Sequence, residues 1–456
     1  MTIGGRRRAA LLLAGDLAVF VLSLWLTLLV RYAELPRSEL FFSHFVLFNV
    51  LFVVWILVFY MAGLYSKRVL LAQYELTGAI VKTQLLNIII AALFFFLIPG
   101  LTLTPKTNLA VYLVISLGLI LLWRLTLAPA LFLPVARERA ALLAAGFDAD
   151  ALVAEVNSNE RYPFRIHSVI EPSSFAHGAG ELRQRLEREH ISLLIVDTED
   201  KTIESVLPAI YGLAFEERRC RVADFYLVYE EVFDRVPLSL LQHGWFLKNL
   251  RRPPFGFYPA LKRVVDLAGG LLMGVIMLFI TPLVFIAMRL EGRGPLLLAQ
   301  ERFGQYGSRM KAYKFRSMTF DNSTSRDWVR EERGNKVTRV GAFLRRTSLD
   351  EFPQFVNILR GELSLVGPRN DIRGLGERLA QEIPYYTARY IVKPGLTGWA
   401  QINQRYESGN ISPQSIEETK MRLAYDFYYI KNRSFALDIL IALRTVKRML
   451  FRLSSF

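Results

Sequence analysis

The side chains best suited to chemistry in this sequence lie close together between Arg345 and Asn370. Arg345-Arg346-Thr347-Ser348-Leu349-Asp350-Glu351-Phe352-Pro353-Gln354 is followed by Gly361 and then by Gly367-Pro368-Arg369-Asn370. Adjacent carboxylates beside arginines suit work on a phosphate, because the cations neutralise phosphate oxygens while a carboxylate can attack or bind metal. Pro353 fits a first helical turn and Gly361 a C-terminal stop. Asp350 and Glu351 are therefore expected at or just before a helix N-terminus, where amides and the helix dipole attract anions. Ser348-x-x-Glu351 also satisfies the capping-box pattern, which needs no chemistry. With Arg345, Arg346 and Arg369 around them, the carboxylates suit a metal-bridged diphosphate better than capping alone.

Composition narrows the options. The histidines are His44, His167, His177, His190 and His243, so the C-terminal third has none, and Cys220 is the only cysteine. No internal disulfide or multi-cysteine metal site is possible. A catalytic C-terminal third would work without imidazole or thiol, which leaves a carboxylate as the natural nucleophile. A formal charge of +15 suits anionic partners. With no nucleic-acid motif or zinc-finger spacing, membrane lipid and phosphate are the expected ones, and no nucleic acid. A hydrophobic fraction of 52% points to lipid, while 21% charged residues require a large water-facing part.

The elements that must position the site follow from hydropathy and periodicity. Apolar runs at Ala9–Val30, Phe41–Tyr65, Thr77–Ile98 and Leu109–Leu133 are long enough to span a bilayer. Lysine and arginine cluster at Arg6–Arg8, Lys67-Arg68 and Arg137–Arg139, which puts both ends of this bundle on the cytoplasmic side. Asp16, Lys82 and Arg124 are scattered within the spans, and anchoring is the reading. From Ala136 to Arg221 short strand-like runs alternate with helical ones, as in a small parallel sheet with crossover helices. Its turn Ala144-Ala145-Gly146-Phe147-Asp148-Ala149-Asp150 has one glycine and two acids, unsuited to a pyrophosphate. Tyr226–Pro254 reads as a linker near lipid. Val264–Leu290 is a further apolar run, flanked by cations at both ends and interrupted by Thr281-Pro282. That pattern suggests a re-entrant helix that bends at Pro282 and returns to the same side.

Further motifs surround the carboxylates. Gln300–Gly307 suits a hairpin, and alternation in Met310–Met318 puts Lys314 and Arg316 on one face of a strand. Ile383–Pro394 is aromatic and basic, as a lipid-facing rim would be. Leu437–Phe456 carries Arg444, Lys447, Arg448 and Arg452 at helical spacing, which fits either an interfacial helix or one packed on its own domain.

Taken together, Lys262-Arg263-x-x-Asp266, the Pro282 position, Gln300–Gly307, Tyr313-Lys-Phe-Arg-Ser-Met318, Arg345–Gln354, Gly367-Pro-Arg369, Val392-Lys-Pro-Gly-Leu-Thr-Gly398 and Asp426-Phe-Tyr-Tyr-Ile430 resemble one family. It is the polyprenyl-phosphate sugar-1-phosphate transferases of the monotopic phosphoglycosyl transferase superfamily, in their large form. The resemblance implies a membrane α plus α/β protein. Residues 1–135 would be a four-helix transmembrane bundle and 136–256 a degenerate Rossmann-like cytoplasmic domain with linker. Residues 257–456 would be an α+β catalytic domain on a re-entrant membrane helix at 262–290. It implies transfer of a sugar phosphate from a UDP-sugar, by default UDP-glucose or UDP-galactose, to polyprenyl (undecaprenyl) phosphate. UMP would leave and a phosphosugar–aspartyl intermediate would form on Asp350. Glu351 would assist, with Mg²⁺ held by Asp350 and Glu351. Lys314, Arg316 and Arg345 would steady phosphates, Pro368 and Arg369 would sit against the nucleotide, and Arg405 and Asp426 would lie at the site. The resemblance further implies a homodimer in the bacterial inner membrane, with the catalytic domain on the cytoplasmic face. Asn370 stands where proline is usual, Gln404 where glycine is common, and Thr281 where serine often precedes the proline.

Two other readings are open. A membrane-anchored nucleotide-sugar dehydratase or epimerase would need an intact glycine-rich turn and a Tyr-x-x-x-Lys pair. The only such spacing is Tyr258–Lys262, which contains a proline. A non-catalytic scaffold of a polysaccharide export complex would use the carboxylates as caps.

Overall fold

The computed structural model describes residues 5–65, 73–97, 106–128, 137–159, 162–171, 179–217, 219–238, 241–249, 257–318, 337–404 and 412–453. The chain forms two compact units, Met1–Phe225 and Tyr226–Phe456. Among the described residues five helices are long and apolar enough to cross a membrane, and a parallel sheet accompanies them.

The first unit begins with α1 (Gly5–Tyr32), α2 (Ser38–Met61), α3 (Gln73–Leu97) and α4 (Lys106–Leu122), the last continued by a π-turn at Trp123–Leu127. They share a core dense in rings, with Phe20, Phe52, Trp55, Phe59 and Tyr112 fully buried. Two of the scattered charges, Asp16 and Arg124, meet inside it, while Lys82 is exposed. Arg124 pairs with Asp16 through two nitrogens, with Nε–Oδ1 at 2.9 Å, and its Nη1 donates to the Leu64 carbonyl at 2.8 Å. Tyr65 Oη donates to Asp16 Oδ2 at 2.6 Å. A buried ion pair stands only where such partners offset its desolvation, so these residues tie helices together. Gly15 allows this approach: a Cβ there would lie 2.0 Å from the Trp123 ring.

The α/β part has strands β1 (Glu138–Leu143), β2 (Phe164–Ile170), β3 (Leu193–Val196) and β4 (Arg221–Asp224), all parallel in the order β2-β1-β3-β4. Ala140–Leu143 and Leu193–Val196 are buried on both faces, which is why they read as unbroken apolar runs. Strand β4 is four residues with charged ends, too short and polar to stand out in sequence. After β1 the chain turns at Gly146, where φ is +94°, into a helix bearing Asp148 and Asp150 in its first turn. Carboxylates thus already occupy the end of the helix that a pyrophosphate would use.

The second unit is organised along one 34-residue helix, Tyr258–Glu291, which runs through Thr281-Pro282 without the interruption expected there, since a proline removes one backbone bond and the turns on either side keep theirs. Asp266, Gly270, Met273, Met277, Val284 and Met288 form its buried stripe. Met273 packs with Met310 and Ile358, and Met277, Val284 and Met288 pack with Phe315 and Leu344. The opposite face exposes Leu271, Leu272, Leu278, Phe279, Leu283 and Ile286. Against the buried stripe lies the antiparallel hairpin β5 (Leu297–Phe303) and β6 (Arg309–Phe315), followed by the short parallel pair β7 (Ser364–Val366) and β8 (Gly395–Thr397). Residues after Phe225 do not form a free linker. Tyr226, Val236, Leu241 and Trp245 join the core of this unit with Trp399, Phe427 and Ile430. The sequence reading missed this because aromatic residues near cations look alike whether they face lipid or a protein core.

Candidate active site

The carboxylates sit on a turn between two short helices. The first, Arg339–Thr347, starts at Thr338, whose Oγ1 accepts from the Gly341 amide at 2.9 Å. It ends at Ser348 in the left-handed region, with φ at 59°. Leu349–Gln354 then forms a 3₁₀ turn, and Phe355–Arg360 a helix stopped by Gly361 at φ 82°. Asp350 and Glu351 therefore precede the helix as expected, but no capping box forms. Ser348 terminates the preceding helix, so it cannot adopt the extended N-cap conformation, and its side chain caps nothing. Pro353 lies within the 3₁₀ turn, one step earlier than a first α-helical turn.

The freed Glu351 carboxylate turns to Arg369. Nη2 donates to Oε1 at 2.5 Å and Nη1 to Oε2 at 3.4 Å, a two-pronged pair. Burial alone would raise the Glu351 carboxyl, but Arg369, with Arg302 and Lys314 behind it, holds it below the usual range. Asp350 is the opposite case. Burial first, and the Glu351 charge second, push its carboxyl up to about 7 against the pull of Arg369, Arg345 and Lys314. Among the described residues no hydrogen bond reaches its carboxylate. Two adjacent acids are thus pushed apart, one locked and ionised, one available and near half-ionised at neutral pH.

Arg369 owes its position to two glycine-rich segments that form one structure. The Gly367 amide donates to Thr397 O at 2.8 Å and the Gly395 amide to Pro368 O at 2.9 Å. A Cβ on Gly395 would stand 2.0 Å from the Gly367 nitrogen, and one on Gly398 2.3 Å from the Gly367 oxygen. Gly367-Pro-Arg369 and Pro394–Gly398 carry glycine because their backbones touch.

Behind Arg369 lies a buried network that sequence reasoning missed except for one member. Asp371 accepts from Tyr386 at 2.8 Å, Tyr390 at 2.9 Å, Arg422 at 2.7 Å and also from Arg389. Burial opposes its charge, yet Arg389 and Arg422 hold its carboxyl far below the usual range. Arg389 also donates to Asp426 Oδ2 at 2.8 and 3.0 Å and to the Arg369 carbonyl at 2.8 Å. Asp426 therefore reaches the carboxylate turn only through Arg389 and Arg369, as a buried support. Tyr386 and Tyr390 are buried in this network, so their segment is not a lipid-facing rim. Arg302 is the other omission. It donates to Asn370 Oδ1 at 2.8 Å and to Gln300 Oε1 at 2.8 Å, and burial followed by Arg369 lowers its pKa to about 10. In sequence it is one cation of a hairpin, and only the Arg302–Ile372 bridge brings it to Asn370.

The remaining expected residues divide. Lys314 lies beside the carboxylates and donates to Gln300 Oε1 at 3.3 Å. Arg316, just past the end of β6, turns away and donates to the Arg293 carbonyl at 2.9 Å, beyond the end of the long helix. Thr281 is half-buried and Pro282 exposed on the outer face of that helix. Arg405 lies outside the described residues. The C-terminal helix Phe435–Leu453 packs on its own unit: Ile441 is buried, Thr445 Oγ1 meets Thr397 Oγ1 at 2.6 Å, and Arg444 covers the Trp399 ring. Among the described residues no cluster of three or more acidic, histidine or cysteine side chains forms. Asp350 and Glu351 are the oxygen donors at this turn.

With this geometry in place, the comparisons are specific. Residues 257–452 match the family model described as bacterial sugar transferase. The chain is 36% identical over 224 residues, 48% of its length and 50% of the relative's, to a UDP-N-acetylgalactosamine-undecaprenyl-phosphate N-acetylgalactosaminephosphotransferase of Aeromonas hydrophila. It is 31% identical over 342 residues, 70% of its length and 60% of the relative's, to an undecaprenyl-phosphate glucose phosphotransferase of Komagataeibacter xylinus. It is 38% identical over 190 residues, 41% of its length, to a UDP-glucose:undecaprenyl-phosphate glucose-1-phosphate transferase of Caulobacter vibrioides, of which 69% is covered. The chain spans about half the length of the curated relatives matched first. The carboxylate turn, Arg369 and the long helix all fall inside the matched region, and the chain belongs to the bacterial sugar transferase family.

Proposed function

We propose that this protein transfers a sugar-1-phosphate from a UDP-sugar to polyprenyl phosphate and releases UMP, with Asp350 as nucleophile. The observation that carries this is the asymmetry of the acid pair: Glu351 is locked by Arg369, while Asp350 has no hydrogen bond among the described residues and a carboxyl near 7. In the first step an Asp350 oxygen attacks the β-phosphorus of the UDP-sugar. The bond from that phosphorus to the bridging oxygen breaks, and the electron pair leaves with UMP. In the second, a phosphate oxygen of the polyprenyl lipid attacks the same phosphorus and the aspartyl–phosphorus bond breaks. Arg345, Lys314 and Arg369 offset the charge that builds on the phosphoryl oxygens. Glu351, kept ionised, holds Arg369 in place. A turn offering two carboxylates, one of them with no hydrogen bond among the described residues, suits Mg²⁺, which binds through one or two carboxylates and substrate phosphates. Bound there, Mg²⁺ would supply charge neutralisation at the diphosphate.

UDP-glucose and UDP-galactose are the substrates favoured here, and the printed names of the relatives include glucose and N-acetylgalactosamine donors. The long helix supports placement at a membrane surface. Its buried stripe runs from Asp266 to Met288 on its own unit, so this face cannot meet lipid, while the outer face is apolar throughout. A helix bound to its domain on one side and apolar on the other suits a place within one leaflet, with Pro282 as the point where it can bend back, better than a fifth span. Cations at its two ends, Lys262-Arg263 and Arg289–Arg293, agree with a cytoplasmic position for both. Purified protein incubated with a UDP-sugar, polyprenyl phosphate and Mg²⁺ tests the reading. UMP release that needs Asp350 supports it, and release undiminished in Asp350→Asn contradicts it.

A further inference from the structure

Lys262-Arg263-x-x-Asp266 marks the start of the long helix in sequence, and nothing in the proposed chemistry uses it. In the structure it makes a set of contacts to both sides of the site. Arg263 Nη1 donates to Ile358 O and Nη2 to Leu359 O, each at 2.7 Å. These carbonyls belong to the last turn of Phe355–Arg360, the helix that follows the Asp350–Glu351 turn without a break. Carbonyls of a last turn lack their i+4 amides; the Gly361 amide donates to Ile358 O at 3.0 Å, and the two-pronged guanidinium adds a bond to each of the two. One turn along the same face, Asp266 Oδ1 accepts from Ser364 Oγ and from the Leu365 amide, each at 2.9 Å. Lys262 Nζ donates to the Val366 carbonyl at 2.9 Å and to Asp438 at 2.8 Å. Val366 is three residues before Arg369. Asp266 is 4% exposed, so these bonds are made away from water. Gly269 and Gly270 close the contact: Cβ atoms there would meet Leu365 at 2.4 Å, and Ile358 and Leu359 at 3.2 Å.

One turn and a half of the long helix thus grips the element carrying Glu351 through Arg263, and the strand leading to Arg369 through Asp266 and Lys262. We propose that Arg263 and Asp266 are positioning residues that set the separation of Glu351 and Arg369, so that docking of the membrane helix fixes the geometry of the acid pair. The charge on Arg369 pulls the Asp350 carboxyl down as well as pairing Glu351. Loosening either grip lets Arg369 drift from Glu351 and from the phosphoryl oxygens it would neutralise.

The inference rests on the proposed role of Asp350, and the experiment separates the two. Steady-state kcat and KM for UMP release from a UDP-sugar are measured for the full chain in lipid nanodiscs, for wild type, Arg263→Lys, Asp266→Asn and each combined with Arg369→Lys. Arg263→Lys keeps the charge but loses the two-pronged grip. Expected for Arg263→Lys and Asp266→Asn are a kcat at least ~10-fold lower and a KM within about twofold. In the Arg369→Lys background either substitution should cost less than about threefold further, because both act through Arg369. An unchanged kcat, a loss that falls on KM instead, or full additivity with Arg369→Lys overturns the positioning role. Loss of UMP release from wild type itself would sink the proposed function instead. If Asp266→Asn fails to fold, Arg263→Lys carries the same readouts.

Discussion

Arg369 pairs with Glu351, at 2.5 Å, and not with the neighbouring Asp350. One guanidinium therefore does two things: it fixes one acid by hydrogen bonds and biases the other by charge alone. The division of roles between adjacent carboxylates, which sequence leaves open, follows from that single contact.

The first expectation concerns pH. In the proposed reaction an ionised Asp350 is the reactive form, and its carboxyl is raised to about 7, so kcat/KM should rise with pH through that value. Glu351→Gln removes a like charge and should move the limb to lower pH, whatever it does to the maximum. Arg345→Gln and Lys314→Gln each remove a favourable charge and should move it higher. A pH–rate profile of each variant checks the three directions.

The same groups have opposite effects on folding. Asp350, raised in the folded state, contributes most below its unfolded value and loses that contribution as pH climbs through about 7. Asp371, strongly depressed, contributes above its unfolded value of ~4 and loses that contribution on acidification. Asp371→Asn leaves Arg389 and Arg422 short of a buried partner, which costs about 3–5 kcal/mol. Thermal unfolding at pH 7 should show a large drop, and the gap to wild type should narrow as pH falls below 4.

Geometry at Arg369 is expected to matter beyond its charge. Arg369→Lys keeps the charge but cannot make both bonds to Glu351, so kcat should fall by roughly 10²-fold with fold retained. Steady-state kinetics alongside circular dichroism separates the two.

Membrane placement has its own test. Cys220 is the only cysteine, so a Cys220→Ser background lets single cysteines report sidedness. Cysteines at Phe257 and Gly292, flanking the long helix, should react with an impermeant thiol reagent from the same side of sealed vesicles. Reaction from opposite sides would mean a fifth span.

Much of this protein is legible in its sequence because its signals are local. Apolar runs, the buried strands β1 and β3 among them, the hairpin glycines and the Gly361 stop all follow from short-range rules. The carboxylate turn was visible, but its capping-box pattern pointed the wrong way. Whether Ser348 caps a helix or ends one depends on its φ of 59°, which residue types do not reveal. Asp371, Arg389 and Arg422 escaped notice because each looks like an ordinary surface charge, and they become a site support only when buried together. Arg316 went the other way: its alternation with Lys314 held to the end of β6, and the chain then turned toward Arg293. The grips of Arg263 and Asp266 span about a hundred residues of sequence and leave no local trace.

The most direct test of the account is to trap the covalent species. Protein mixed with a UDP-sugar labelled in the sugar, without polyprenyl phosphate, is quenched in acid and digested, and the labelled peptide is mapped by mass spectrometry. The account predicts one phosphosugar on the peptide containing Asp350, absent in Asp350→Asn and discharged by adding polyprenyl phosphate. A label on another residue, or turnover with UMP release and no label at any time, would contradict it.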